Sequence, residues 1–262
     1  MVMDMDMVIA TIIIPLNRNK MFLFDQNTTL EKSGLLQRMS DFHCHLLPGV
    51  DDGIQKIEDT LAILDYYESI GIREVWFTPH IMEDVPNTTQ KLTERFEWVK
   101  SQYTGHIPLH LAAEYMLDNN FAERLKNKDL LPLGNDKDHL LVETTTFNAP
   151  SNLEKLFAAI KSAGYFPVFA HPERYTYLDK KDYIKWKNFG VKLQLNLLSL
   201  QGGYGKAEKE KAEWMLSNDM YDYYGTDTHT TRHIANNPLP LSEFKIKKKL
   251  VPHLAQLIEV AY

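Results

Sequence analysis

The sequence feature that most constrains the fold is a repeated unit in which a short apolar strand ends near a histidine or a carboxylate and a helical segment follows. Residues 74–78 form one such strand before His80, and a helix with Asn87 or Thr88 as its cap is predicted at 89–103. The sequence predicts seven strands, nearly all of which follow this pattern, and alternation of strands with helices implies parallel pairing. The sequence therefore predicts one α/β domain, a distorted seven-stranded TIM-like (β/α)7 barrel.

Side chains that bind cations collect at the ends of these predicted strands. In a barrel of parallel strands, the functional groups cluster at the carboxyl ends. Nearly every predicted strand ends in such a group: His43 and His45, His80, Glu114, Glu143, His171, and Asp227 with His229. Strand count and ligand placement support each other, and together they predict a metal cluster at one end of the barrel.

The first of these strands carries two candidate ligands and leads into an acidic turn. His43 and His45 are two residues apart on a strand, so their imidazoles point to the same side. A Pro-Gly turn then returns Asp51 and Asp52 toward the same place. A lone pair of this kind is more often structural, but its repetition at 227–229 favours metal binding. Such donors suit two or three divalent ions, with Mn, Fe and Zn as candidates.

The composition narrows the choice of partners and of compartment. A net charge of −6 argues against nucleic acid as the main partner, because a phosphate-backbone binder needs a basic surface. The single cysteine, Cys44, excludes an internal disulfide and is typical of a reducing compartment, so we expect a cytoplasmic protein. No apolar run is long enough to span a bilayer. Cys44 lies between the two strand histidines, so alternation turns its thiol away from the metals.

The first part of the chain differs from the rest. Residues 8–14 are apolar but form a short run, and acidic residues precede them where a secretory signal would be basic. We therefore expect residues 1–20 to be an extension, with Met21 able to serve as a start. An added edge strand is the alternative. The predicted division is an extension of unassigned role at 1–38 and one domain at 39–262.

The motifs, taken in order, resemble those of the PHP superfamily. They lie at residues 43–53, 78–80, 113–114, 171–174 and 227–229. Within that superfamily, the chain is most similar to the metal-dependent protein tyrosine phosphatases of bacterial capsule and exopolysaccharide operons, and residues 198–206 also resemble that branch. The resemblance runs from about residue 39 to the C-terminus, and it implies that the barrel is of PHP type.

The resemblance also implies how the ligands are shared. One ion would be held by His43, His45, Asp227 and a bridging Glu114. A second ion would be held by Asp52, His80 and His229, and a third by His171 and Glu114. Asp51 is the weaker candidate of the acidic pair, and Glu143 is left open between a structural and a functional role.

Two arginines are the implied phosphate-binding residues, Arg174 and Arg232. Arg174 belongs to the fourth motif. In some members of the family the last arginine stands farther from the Asp-x-His motif than Arg232 does here. A guanidinium offers a planar fork of donors that matches the oxygens of a phosphate.

The activity implied by the resemblance is hydrolysis of phosphotyrosine in proteins. The expected partner is a bacterial tyrosine autokinase that regulates capsular or exopolysaccharide synthesis, and an oligomer is compatible with the sequence. A cysteine-based phosphatase is excluded, because no arginine follows Cys44 in a phosphate-cradling loop. Two alternatives stay open: another PHP phosphoesterase such as a histidinol phosphatase, and a non-catalytic PHP binding module. The lysine cluster at 245–249 is interpreted as a solvated helix face, with a docking surface for an acidic partner as the alternative.

Overall fold

Strands and helices alternate along the chain in the computed structural model, which describes residues 26–233 and 240–261. The strands are β1 Asn27–Thr29, β2 Asp41–Cys44, β3 Val75–Phe77, β4 His80–Ile81, β5 Leu109–Leu111, β6 Glu114–Met116, β7 His139–Glu143, β8 Phe166–Ala170, β9 Lys192–Asn196, β10 Tyr223–Gly225 and β11 Lys245–Lys247. The α-helices are α1 Leu30–Ser33, α2 Ile57–Ile70, α3 Thr89–Gln102, α4 Phe121–Asn127, α5 Leu153–Ser162, α6 Lys180–Phe189, α7 Leu197–Gln201, α8 Lys206–Ser217 and α9 Val251–Val260.

Two parallel sheets form the centre of the fold. The larger has six strands in the order β10-β9-β8-β7-β6-β4, and the smaller has three in the order β2-β3-β5. Neighbouring strands within both sheets run parallel. Parallel strands need crossover connections, and several of these contain helices. The predicted α/β class and parallel pairing are confirmed.

Two of the predicted strands are interrupted in the structure. Thr78 and Pro79 separate β3 from β4, and Ala112 and Ala113 separate β5 from β6. The first half of each strand belongs to the three-stranded sheet and the second half to the six-stranded sheet. Pro79 has no N–H group, so it cannot donate to a ladder. The strands predicted at 74–78 and 109–113 are thus present as the shorter β3 and β5, each followed by a further short strand, and the chain passes between the sheets at both breaks.

Backbone hydrogen bonds also join β2 of the smaller sheet to the segment that follows β10 of the larger. The N–H of Asp227 donates to the carbonyl of His43 at 2.7 Å. The N–H of His45 donates to the carbonyl of Thr228 at 3.0 Å. The parallel sheet therefore curls, and the first and last of its strands bring their candidate ligands together.

Helix α2 illustrates how the sequence sets the packing of the helices. Ile63, Leu64 and Tyr67 are fully buried and lie at helical spacing, so they form the face that packs on the core. The helix ends at Gly71, whose φ of 85° lies in the left-handed region that glycine tolerates best. The predicted end of this helix at Gly71 is confirmed.

The start of the described chain packs against its end. Strand β1 pairs antiparallel with β11, and Leu30, Leu35 and Leu36 are buried behind it. The described part of the predicted extension at 1–38 is thus attached to the domain. The expectations for residues 1–20 and for a start at Met21 lie outside the described residues. Among the residues that the structure describes, no helix is long and apolar enough to cross a membrane.

Candidate metal centre

The two histidines at the end of β2 point to the same side of the chain. Their Nε2 atoms are 3.1 Å apart, and His43 and His45 are both buried. Cys44 lies between them, and its thiol donates to the carbonyl oxygen of Trp76 at 3.2 Å. Burial raises the pKa of the Cys44 thiol well above its usual value, so it stays protonated. This geometry agrees with the expectation that Cys44 is a small buried side chain.

Glu114, at the start of β6, lies at the centre of the site. Its Oε2 is 3.3 Å from His43 Nε2, 3.3 Å from His45 Nε2 and 3.1 Å from His80 Nδ1. Its Oε1 is 3.1 Å from His171 Nε2. Although three imidazoles surround it, Oε2 is buried and accepts no well-formed hydrogen bond from the described residues. A buried carboxylate oxygen without a partner is costly, which indicates that a further group belongs there.

The donor atoms of the site fall into three groups, and within each group they lie within 4.8 Å of one another. The first group consists of His45, Asp52, His80 and His229. The second consists of His43, His45 and Asp227, and the third of His80, Glu114 and Glu143. Because two histidines belong to two groups each, neighbouring cations could share ligands.

This grouping differs in part from the sharing that the resemblance implies. Glu143 comes into the site, with its Oε1 3.2 Å from His80 Nδ1. His171 belongs to none of the three groups, but its Nε2 is 3.1 Å from Glu114 Oε1 and 3.7 Å from Glu143 Oε2. Asp52 is the exposed member, with 75% of its side chain accessible. The structure thus brings together every predicted ligand residue and adds Glu143 to them.

Asp227 faces two different sets of residues with its two oxygens. Its Oδ1 is 3.4 Å from both His43 Nε2 and His45 Nε2. Its Oδ2 accepts hydrogen bonds from Arg174 Nη1 at 2.9 Å and from Asn196 Nδ2 at 2.7 Å. One carboxylate therefore connects the histidine cluster to the predicted phosphate-binding arginine.

Two residues of the site have positive φ angles, which are uncommon for residues with side chains. His171 follows β8 directly and has φ 33° and ψ 53°. Asp227 follows β10 after one intervening residue and has φ 53°. Such backbone costs on the order of 1–3 kcal/mol and persists where surrounding contacts hold it, most often at functional sites. The strain therefore supports a functional role for this cluster.

Asp51 orients two of the histidines instead of joining a donor group. Its Oδ2 accepts hydrogen bonds from His45 Nδ1 at 2.9 Å and from the His80 backbone N–H at 3.0 Å. Its Oδ1 accepts from the backbone N–H of Gly53 at 2.9 Å. A Cβ atom at Gly53 would lie 2.3 Å from the His45 carbonyl oxygen, so this close approach requires glycine. Carboxylates that hold a ligand imidazole in this way fix its tautomer and its orientation.

Burial and neighbouring charges shift the pKa values of the cluster. Burial lowers the pKa of His45, but hydrogen bonds to Asp227 and other carboxylates raise it well above its usual value. Burial and the charge of His45 lower the pKa of His80, whereas Glu114 and Glu143 raise it, to about 10 overall. Burial raises the pKa of Glu114, but the surrounding histidines bring it well below its usual range. The raised pKa values favour protons on His45 and His80, which balance nearby carboxylates when no other cation is bound.

The donor set fits divalent metal ions. It consists of imidazole nitrogens and carboxylate oxygens without a thiolate, and such ligands suit borderline and hard divalent metals. The unpartnered Oε2 of Glu114 supplies a buried negative charge at the point where the imidazoles converge. A bound cation would replace the protons that the imidazoles otherwise carry.

A cavity of about 350 Å³ lies beside the cluster. It is lined by Asp52, Arg174, Leu198, Tyr204, Asp227, His229, Thr230 and Arg232. The side chain of Arg174 is 24% exposed in it, and Arg232 is an exposed residue in the short 3-10 helix Thr231–His233. Both predicted phosphate-binding arginines therefore border one cavity together with three of the predicted metal ligands, Asp52, Asp227 and His229.

Two amide side chains of β9 complete the site, and sequence reasoning missed their roles. The Oε1 of Gln194 accepts from the His171 backbone N–H at 3.1 Å and lies 3.1 Å from His43 Nδ1. Asn196, two residues on, donates to Asp227. Both are fully buried. Two amides at alternate positions along this strand are a signal that could have found them, because buried amides need polar partners.

A family model that matches most of the chain identifies the protein family. The family described as "Capsular polysaccharide synthesis, CpsB/CapC" matches residues 39–256. This chain belongs to that family. The resemblance to the phosphatases of bacterial capsule operons is therefore confirmed.

Individual relatives cover most of the chain at moderate identity. CapC of Staphylococcus aureus is 26% identical over 226 residues, which make up 84% of this chain and 87% of CapC. Tyrosine-protein phosphatase YwqE of Bacillus subtilis is 27% identical over 202 residues, 74% of this chain and 78% of YwqE. A solved chain from a crystallographic study of YwqE and of CpsB from Streptococcus pneumoniae superposes with a TM-score of 0.69 at 26% identity, covering 86% of this chain and 88% of that one. That study describes these two proteins as unique metal-dependent tyrosine phosphatases.

Proposed function

We propose that this protein hydrolyses phosphotyrosine in proteins and that it requires bound divalent metal ions. The observation that carries the proposal is the buried Glu114 cluster, whose imidazoles and carboxylates lie next to a cavity bordered by Arg174 and Arg232. Membership of the CpsB/CapC family and the activities named for YwqE and CpsB support it. The set of donors also argues against a non-catalytic binding module, which would not need a complete cluster.

The proposed cofactor is a cluster of two or three divalent ions. Mn is the favoured metal, with Fe or Zn as alternatives, because the donors are imidazoles and carboxylates. The residues that would hold the ions are His43, His45, Asp52, His80, Glu114, His171, Asp227 and His229, with Glu143 as an added ligand. Gln194 and Asp51 would fix the imidazoles that they contact.

Phosphotyrosine hydrolysis forms a bond from a water oxygen to phosphorus and breaks the bond from phosphorus to the phenolic oxygen. When bound, divalent ions lower the pKa of water and neutralise charge on phosphoryl oxygens. Arg174 adds charge-assisted donors beside the cluster, and its Nη1 already pairs with an anion, the carboxylate of Asp227. Phenolate is a good leaving group compared with an alkoxide, so the reaction needs no strong general acid. Arg232, at the outer edge of the cavity, is the second proposed phosphate-binding residue.

The proposed architecture is a distorted seven-stranded barrel of PHP type. β3 with β4, and β5 with β6, count as one strand each in this interpretation. The remaining strands are then β2, β7, β8, β9 and β10, which gives seven in chain order. The hydrogen bonds between β2 and the segment after β10 would close the barrel.

The proposed substrate is a phosphotyrosyl protein, and we infer a bacterial tyrosine autokinase of capsular or exopolysaccharide synthesis as the partner. The family description, which refers to capsular polysaccharide synthesis, supports this inference. The proposed location is cytoplasmic, and the presence of one cysteine, Cys44, without an internal disulfide supports this proposal.

The test is a comparison of substrates with the Mn-loaded protein. We expect rapid release of phosphate from phosphotyrosyl peptides and much slower release from phosphoseryl peptides and from histidinol phosphate. Cys44→Ala should retain the activity, which separates this enzyme from cysteine-based phosphatases. Preferred hydrolysis of histidinol phosphate would favour the alternative phosphoesterase, and no hydrolysis of any of them would contradict an enzymatic role.

A further inference from the structure

Arg174 is held by two contacts that act on different parts of its guanidinium. Its Nη1 donates to Asp227 Oδ2 at 2.9 Å. Its Cζ lies 4.2 Å from the centre of the Tyr204 ring, a cation–π contact. Among the described residues, the bond to Asp227 is the one hydrogen bond that the Arg174 side chain makes. A guanidinium carries five N–H groups, so most of them remain for a ligand.

Tyr204 is itself fixed at its hydroxyl end. Its OH accepts from Asn196 Nδ2 at 2.9 Å and donates to Asp227 Oδ2 at 3.4 Å. Burial raises the pKa of the Tyr204 hydroxyl, so it stays protonated and can donate. The ring is thus anchored to the same carboxylate that accepts from Arg174, which fixes the position of the ring relative to that carboxylate.

The backbone around Tyr204 is also constrained. The residue lies between α7 and α8, in a connection that contains three glycines. A Cβ atom at Gly203 would lie 2.5 Å from Leu198 Cγ, and Gly205 has φ 129°. Both positions therefore require glycine, and together they bring the Tyr204 ring to the cavity wall.

We propose that Tyr204 is a positioning residue that aims Arg174 at the phosphate of the substrate, an inference that rests on the proposed function. The ring supports one face of the guanidinium, and Asp227 takes one of its N–H groups. The remaining N–H groups of Arg174 lie at the cavity that also borders Asp52 and His229. Without the ring, the guanidinium keeps its charge but loses its fixed plane, and planar bidentate recognition of phosphate depends on that plane.

The first test is a double-mutant cycle on phosphotyrosine hydrolysis. Tyr204→Leu should lower kcat/KM by roughly 2- to 30-fold, the range that corresponds to one cation–π contact. Most of this loss should fall on kcat, because an arginine that is aimed at developing charge acts mainly in the transition state. In the Arg174→Ala background, Tyr204→Leu should have a smaller effect, limited to the loss of the hydroxyl contacts with Asn196 and Asp227, since there is no guanidinium left to position.

The second test keeps the shape of the ring and changes its charge distribution. Tyr204→Phe should cost less than Tyr204→Leu, because the ring face remains. Phenylalanine analogues with one, two or three ring fluorines at position 204 should then lower kcat/KM stepwise, because each fluorine weakens the negative face of the ring. This series stays informative if Tyr204→Leu fails to fold.

A matched control is Tyr177→Leu. Tyr177 stacks on Tyr175 at 5.4 Å, close in the chain to Arg174, and its hydroxyl contacts Thr144. Any loss in this variant should be the same with and without Arg174. Additive effects of Tyr204→Leu and Arg174→Ala, or equal activity across the fluorinated series, would overturn the inference. An inactive wild-type protein would instead contradict the proposed function, so the two failures are distinguishable.

Discussion

The parallel strands carry a histidine–carboxylate contact at each end, one partly exposed and one buried, and the two carboxylates differ in how many imidazoles surround them. Before β3, Glu74 lies 3.0 Å from His110 Nε2 and accepts from the Ser40 hydroxyl at 3.0 Å, while His110 stacks on Trp76 at 4.5 Å. At the opposite end, the single carboxylate of Glu114 has four imidazoles around it.

The two carboxylates differ in whether an oxygen remains without a hydrogen-bond partner. Glu74 has one imidazole and one hydroxyl, and these lower its pKa although burial raises it. Glu114 has an oxygen with no well-formed hydrogen bond among the described residues, although it is completely buried. The first arrangement pairs one carboxylate with one partly exposed imidazole, so the two charges can balance each other without a further ligand, although His110 Nε2 makes no well-formed hydrogen bond among the described residues. The second would become complete with bound cations, so under the proposed function the same residue types serve structure at one end and chemistry at the other.

The largest expected effect is that of removing the charge of Glu114. Glu114→Gln keeps the shape of the side chain but removes the shared anion, so metal binding and phosphotyrosine hydrolysis should fall to background. Steady-state kinetics and metal analysis of the purified variant measure both. Glu74→Gln is the matched control and should keep full metal content and activity. Equal losses of metal and activity in the two variants would contradict the distinction between a metal-binding end and a structural end of the strands.

The next largest effect is expected for Arg174. Arg174→Ala should lower kcat/KM on phosphotyrosyl peptides by roughly 10²–10³-fold, the range for removing one preorganised donor at developing charge. Arg174→Lys should recover part of this loss, because an ammonium cannot make the bidentate contact. Arg232→Ala should cost less, since Arg232 is exposed at the edge of the cavity. Metal content should be unchanged in all three variants, and a loss of metal from Arg174→Ala would assign that residue to the cluster instead.

A smaller effect on metal binding is expected from substitution of Glu143, and it decides between a structural and a functional role for this residue. Because its Oε1 lies 3.2 Å from His80 Nδ1 and its donor group includes Glu114, Glu143→Gln should weaken metal binding. The expected loss is at least roughly 10- to 100-fold in affinity, the range for carboxylates that orient a ligand. Titration of the metal-free protein with Mn measures it. An unchanged affinity for Mn would indicate that Glu143 has a structural role.

The pH dependence of metal binding should follow the raised pKa values. In the metal-free protein, the pKa of His80 is raised from 6.5 to about 10. Its contribution to stability is complete below about pH 6.5 and is lost as the pH rises toward 10. A metal must displace this proton, so affinity should increase with pH across that window. Calorimetry in two buffers of different ionisation enthalpy should detect at least one released proton, and zero release would contradict the prediction.

The smallest effect is expected at the other end of the strands. His110→Ala removes a partly exposed imidazole from Glu74, so the free energy of unfolding should fall by about 1 kcal/mol or less. Denaturant unfolding measures this change. Activity and metal content should stay at the wild-type level, and a loss of either would show that the two ends are coupled.

The sequence was sufficient to predict the α/β class and the cluster of candidate ligands. His43, His45, His80 and Asp227 stand at strand ends, and parallel strands of one curled sheet bring their carboxyl ends together. A local sequence pattern was enough to predict the cluster, because residues at the carboxyl ends of neighbouring parallel strands lie close together in the fold.

Other features could not be predicted, because they depend on contacts between distant segments. Gln194 contacts His43, which lies 151 positions away in the sequence. The sequence around a buried glutamine on a strand does not indicate which distant residue it will contact. The breaks at Thr78–Pro79 and Ala112–Ala113 depend on which sheet each half joins. Glu143 could not be assigned, because a carboxylate at the end of a strand is compatible with either role until its neighbours are known.

The central claim is that the Glu114 cluster is a metal centre that hydrolyses phosphotyrosine. Its most direct test removes metal with a chelator, adds back Mn in steps, and measures bound metal and phosphotyrosine hydrolysis on the same samples. We predict no activity in the metal-free protein and a return of activity that rises with bound Mn, to two or three ions per chain. Full activity in protein shown to be free of metal would contradict the account.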